Sequence, residues 1–72
     1  MNLAAEIRAE AARQGITVTA LAEQAAISSR SLHRKLRGER PITLPEVQRL
    51  AAALGVPLST LAERAEAADH AA

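Results

Sequence analysis

Apolar residues recur along this chain in pairs spaced five positions apart: Ile16 and Leu21, Ile27 and Leu32, Ile42 and Val47, Val56 and Leu61. That is the spacing of a hydrophobic staple, in which a residue just before a helix packs against the fourth helical position and fixes the angle of entry. The residue following the first member of each pair is Thr17, Ser28, Thr43 or Pro57. Three of these carry a short side-chain oxygen able to accept from a backbone N–H left unpaired in the first turn. Thr43-Leu-Pro-Glu46 is also a capping box, with Pro45 inside the first turn, where a missing N–H does no harm. Gly15, Gly38 and Gly55 stand where helices can stop. Pro41 and Pro57 keep the neighbouring connections from being helical. The pattern predicts five helices, over about 2–14, 17–25, 28–37, 43–54 and 58–68. The final ADHAA reads as a tail, frayed over residues 69–72.

Each predicted helix carries one apolar stripe at helical spacing. The stripes are Leu3, Ile7 and Ala11; Val18, Leu21 and Ala25; Leu32 and Leu36; Val47, Leu50, Ala51 and Leu54; and Leu58, Leu61, Ala62 and Ala65. Nothing alternates as a strand would, and no long repeat is present. The expected fold is all-α, a compact five-helix domain over residues 1–68 with the tail beyond it. Composition sharpens this expectation. Its 72 residues, without cysteine or any aromatic residue, must build a core from 9 Leu, 4 Ile, 3 Val, Met1 and some of the 18 Ala. Small side chains let helices approach closely, but each buries little area, at about 25 cal/mol per Å². Modest stability is the expectation.

Net charge is only +1, but it is unevenly distributed. Residues 28–40 hold Arg30, Arg34, Lys35, Arg37 and Arg40 against Glu39 alone, a local charge of +4; the remainder, four basic against seven acidic residues, carries −3. On the third predicted helix, with Leu32 set at zero and about 100° per residue, Arg30, Arg34 and Arg37 fall at about 160°, 200° and 140°. They share one face, opposite the core leucines. Guanidinium groups match guanine O6 and N7 bidentately and fork onto phosphate. Lys35 and His33 flank that face, and serines at the helix start, Ser28, Ser29 and Ser31, can bond phosphate or base edges with help from the helix dipole. A helix laced with i,i+4 ion pairs would mix its signs; this one carries a single sign and follows a short helix after a tight turn.

The segment GITVTALAEQAAISSRSLHRKLRGERPITLPEVQRLAAALGV resembles the Cro/CI-type (xenobiotic response element family) helix-turn-helix domain. The resemblance rests on Leu21-Ala22-Glu23, the turn Ala26-Ile27-Ser28, the stretch from Ser31-Leu32 to Gly38, and Leu50-Ala51 through Leu54-Gly55-Val56, and it extends over about residues 3–65. It implies a lambda-repressor-like, five-helix DNA-binding domain whose third helix enters the major groove. By that similarity the base-reading positions are Ser29, Arg30 and Arg34. Contacts to the DNA backbone fall to Thr17 and Thr19 at the start of the second helix, and to Arg37, Arg40 and Thr43 after the third. His33 and Lys35 are further backbone contacts, beside Ser28 and Ser31. Three positions depart from the family pattern. Ala26 stands where glycine is common, and at positive φ alanine costs roughly 1 kcal/mol. Val18 stands where a glutamine often reaches DNA, and Pro57 replaces a common polar cap.

Catalysis finds little support. His33 and His70 are the two histidines, and Ser28, Ser29, Ser31 and Ser59 have no base near them in sequence. No H-x₃-H or cysteine pair suggests a metal, and no cofactor or small-molecule ligand is implied. There is no run of about 18 apolar residues as a membrane span needs, and MNLAAEIRAE lacks the apolar block of a signal peptide. The expected setting is the cytoplasm, on the nucleoid, in a bacterial cell or phage-infected host. The expected function is sequence-specific binding of double-stranded DNA by a phage or bacterial transcriptional regulator, a repressor of Cro/CI type. Its operator is expected to be palindromic, bound by a homodimer formed through helix five; Leu58, Leu61 and Ala65 are either its contacts or part of the monomer core. Two other readings are an antitoxin-type regulator of a toxin–antitoxin pair and a protein-interaction adaptor. The basic outer face favours DNA over an adaptor, which would more often expose large apolar residues there. The short stretch after residue 68 offers little to wrap a toxin.

Overall fold

The computed structural model describes residues 2–71. Five helices follow in order: α1 (Leu3–Gln14), α2 (Val18–Ala25), α3 (Ser29–Leu36), α4 (Leu44–Leu54) and α5 (Leu58–Ala71). Four of the predicted starts turn out to be the cap residue itself. Asn2, Thr17, Ser28 and Thr43 each accept a backbone N–H three residues on, from Ala5, Ala20, Ser31 and Glu46. The capping box at Thr43 is complete: Glu46 Oε1 accepts from Thr43 N at 2.9 Å while Thr43 Oγ1 accepts from Glu46 N at 3.3 Å. α5 runs through residue 71, past the predicted end at 68, because neither glycine nor proline follows and alanine is the best helix former. Met1, counted among the core-forming residues, and Ala72 of the tail lie outside the described residues.

The helix ends repeat one device. After α1, Gly15 N–H donates to Ala12 O at 3.1 Å and Ile16 N–H to Ala11 O at 2.9 Å, the paired bonds of a Schellman turn. The same pair recurs after α2, α3 and α4. The residue closing the turn after α1, α2 and α4 is Ile16, Ile27 or Val56, the same residue that opens the next helix as the staple. One apolar side chain therefore seals one helix and aims the next, so these connections need only three residues.

The turn after α2 reaches left-handed φ without glycine. Ala26 sits at φ +57°, the one positive φ outside glycine among the described residues. A Cβ there is strained, so Ala26→Gly is expected to raise stability by about 0.5–1 kcal/mol, glycine's larger unfolded-state entropy offsetting part of the relief. In a domain of this size that is a rise of a few degrees in Tm, roughly 2–8 °C. A thermal melt in which Ala26→Gly lowers Tm contradicts the strain.

Among the described residues, eleven buried ones form the central core, drawn from every helix: Ile7 and Ala11; Leu21, Ala22 and Ala25; Leu32 and Leu36; Leu50, Ala51 and Leu54; and Leu61. Seven of the eight staple residues are in or against it, and the eighth, Val47, is buried. Leu61 and Ala65, two of the candidates for pairing copies through helix five, are 0% and 1% exposed, and Leu58 packs on the core. These residues serve the monomer core: spacings of three and four residues put them on one stripe, and that stripe faces inward. Val18 likewise packs on the core.

Glu10 is buried on the same stripe as Ile7, a place the apolar pattern reserves for hydrocarbon. Its carboxylate accepts from Arg13 Nε (3.1 Å), Arg13 Nη2 (3.0 Å), Gln14 Nε2 (2.9 Å) and Arg64 Nη1 (2.7 Å). Gln14 also donates to Leu54 O at 2.7 Å, satisfying a carbonyl at the end of α4. This polar seam joins α1, α4 and α5. Hydrogen bonds from Gln14, Arg13 and Arg64 pull the Glu10 carboxyl down from 4.5 to about 2. The Lys35 ammonium and the Thr43 cap do the same to Glu46, also to about 2. Folded values below the unfolded ones mean that this stabilisation is fully present above about pH 4.5 and lost as pH falls toward 2. Tm is expected to stay level near neutrality and fall through that window. The double variant Glu10→Gln/Glu46→Gln should start lower and fall less; an equal fall in both proteins rules these carboxyls out as the acid-sensitive groups.

Candidate nucleic-acid interface

α3 packs against α2 and α1 through Leu32 and Leu36, which are 0% and 3% exposed. With those two residues anchored, helical geometry turns the opposite side to solvent. Arg30 and Arg37 are exposed there and Arg34 is half-exposed. Arg40, beyond the turn, comes back toward α3. Arg30, Arg34 and Arg40 line one open cleft of about 250 Å³ together with Ser28 and Ser31 at the start of α3. Three guanidiniums and a helix N-terminus converging on one cleft are suited to an anion, because backbone N–H groups and fixed positive charge act in the same direction. Arg30 and Arg40 have no carboxylate partner among the described residues.

The hydroxyls are arranged in two ways. Thr17 and Ser28 are N-caps, each accepting from a backbone N–H at 3.1 Å, so their oxygens are oriented by the helices they begin. Thr43 is held within its capping box, its hydroxyl donating to Glu46 at 2.9 Å. Thr19 and Ser29 face each other across the α2–α3 turn, Oγ1 to Oγ at 3.3 Å. Ser29 is also bound to His33: the imidazole Nδ1 lies 2.8 Å from the Ser29 carbonyl oxygen. A carbonyl only accepts, so Nδ1 carries a proton in this contact.

Lys35 is drawn off this face. Its ammonium pairs with Glu46, and both side chains are largely covered, at 15% and 12% exposed. The pair ties α3 to the first turn of α4, which positions the helix instead of offering charge outward. Of the twelve residues singled out from sequence, the structure gathers Ser28, Arg30, Ser31, Arg34 and Arg40 around the cleft. It links Thr19, Ser29 and His33 beside it, sets Thr17 and Thr43 as caps, turns Lys35 inward and pairs Arg37 with Glu39.

In the sequence Glu39 is only a charge to subtract from the basic segment. In the fold its carboxylate lies 2.6 Å from Arg37 Nε and 3.7 Å from Arg34 Nε. The available signal was Gly38, a residue able to reverse the chain and bring its successor back over α3.

Among the described residues no His, Cys, Asp or Glu side chains cluster as a metal site needs, and no helix is long and apolar enough to cross a membrane. The family model described as a helix-turn-helix domain matches residues 2–67. No curated protein and no solved structure gives a significant match.

Proposed function

The chain belongs to the helix-turn-helix domain family, of the Cro/CI (xenobiotic response element) type, and from that premise we propose that it is a non-enzymatic, sequence-specific DNA-binding transcriptional regulator, a phage or bacterial repressor acting in the cytoplasm. The observation that carries the reading is the cleft where Arg30, Arg34 and Arg40 meet the start of α3. α3 lies in the major groove, with Arg30 and Arg34 on base edges and Ser29 beside them. Thr17, Thr19, Ser28, Ser31, Arg37, Arg40 and Thr43 line the flanking backbone. His33, whose Nδ1 is held by the Ser29 carbonyl, is a further contact to the backbone. Lys35 holds α3 at its angle.

Recognition is of a palindrome, two copies sitting on half-sites about 34 Å apart. Leu44 is the one large hydrophobic residue exposed among the described ones, at 61%. Any meeting of copies through α5 therefore uses its polar outer side, and pairing is completed on the operator. Selection from random duplex DNA tests the reading. Enrichment of a palindrome, bound with affinity that falls steeply with salt, supports it. An unenriched pool bound without salt dependence sinks it in favour of a protein-interaction adaptor.

A further inference from the structure

Glu39 is the single acidic residue among residues 28–40, and it occupies the face that the proposed function offers to a polyanion. Its place is set by the backbone. Gly38 adopts φ +81°, a left-handed conformation that folds the chain back on the last turn of α3. The Glu39 N–H then donates to Arg34 O at 3.0 Å, which locks the residue over that turn. From there the carboxylate reaches Arg37 Nε at 2.6 Å and Arg34 Nε at 3.7 Å. A carboxylate at a helix C-terminus opposes the helix dipole, so the stability of α3 does not account for it. Glu39 is about half exposed, as are its partners, so the pairs are exchangeable against another anion.

We infer that Glu39 is an internal competitor for phosphate: it occupies Arg37, and more loosely Arg34, until DNA displaces it. The inference rests on the DNA-binding reading and deepens it. Sequence-independent affinity comes from the number of phosphates neutralised, with log K falling against log salt by about 0.9 per contact. Withholding one arginine removes about one such contact. Arg30 and Arg40, without a carboxylate, make the first encounter, and Arg37 joins only where the phosphate backbone lies close enough to outcompete Glu39.

The test measures binding to an arbitrary-sequence duplex over a range of salt. Glu39→Gln is expected to bind about threefold to tenfold more tightly at low salt and to steepen the salt slope by about 0.9. Glu66→Gln makes the same change in net charge on α5, which does not touch α3 among the described residues, and should shift affinity less than twofold. Arg37→Ala should matter little in the wild type and several-fold more in the Glu39→Gln background. Equal effects of Glu39→Gln and Glu66→Gln, or an Arg37→Ala loss that is the same in both backgrounds, overturn the inference. Elution from heparin separates this from the parent reading. If neither protein binds duplex DNA yet Glu39→Gln elutes from heparin at higher salt, the competition stands and the DNA reading fails.

Discussion

Leu32→Ala is expected to remove about 2–5 kcal/mol of folding stability. Leu32 is 0% exposed, lies in the core cluster, and is the fourth residue of α3, where its staple partner Ile27 enters. Truncation loses the transfer energy of the side chain and leaves a cavity that neighbours as small as Ala22 and Ala25 cannot collapse to fill. A domain of this length has a total of only about 4–11 kcal/mol, so the variant sits near the edge of folding at 37 °C. Urea denaturation should show a much lower midpoint with the slope unchanged. Exposed Arg30, truncated the same way, should change stability by no more than about 0.5 kcal/mol. If Leu32→Ala costs less than Arg30→Ala, the inward face of α3 has been misassigned. DNA affinity in Leu32→Ala should fall only in proportion to the unfolded fraction, because the arginine face is untouched.

Arg30→Ala and Arg34→Ala are expected to cost about 1–3 kcal/mol each, roughly fivefold to 150-fold, on the selected operator. Each loss should concentrate at one base pair, so the variant discriminates less there and normally elsewhere. Arg30 has no carboxylate partner among the described residues, whereas Arg34 leaves Glu39 at 3.7 Å on binding. The Arg30 loss should therefore be the larger. Arg40→Ala provides the contrast: weaker binding on all sequences alike, with a salt slope reduced by about one. Titration of wild-type and single-base-pair operator variants decides the matter. Operator binding by both arginine variants that matches wild type would remove them from the reading face.

Much of the architecture was legible because it is encoded locally. Thr17, Ser28 and Thr43 act as caps within three residues of themselves, and Gly15, Gly38 and Gly55 take the left-handed turns their positions require. The stripe of each helix needs only the helical period to be read, and every stripe reached the core. Asn2 was missed as a cap because the residue five positions after Met1 is Glu6, so no apolar pair marks that start. The end of α5 was misjudged because the chain there has no stop residue, and alanine continues a helix until something interrupts it.

The interface was legible in outline and not in its pairings. The period of α3 alone places Arg30, Arg34 and Arg37 opposite Leu32 and Leu36, because a rigid helix fixes their relative angles. It says nothing about partners contributed by other segments. Lys35 is eleven residues from Glu46, and Glu10 is fifty-four from Arg64, yet each pair closes in the fold. Arg40 joins the cleft and Glu39 bridges two arginines only after Gly38 reverses the chain. By itself, then, the sequence determined five capped helices, their inward faces and a basic third helix, since those depend on contacts within a few residues. Tertiary structure alone decided which of those charges stay available to an anion and which are already neutralised, because ion pairing depends on distances set by how distant segments pack.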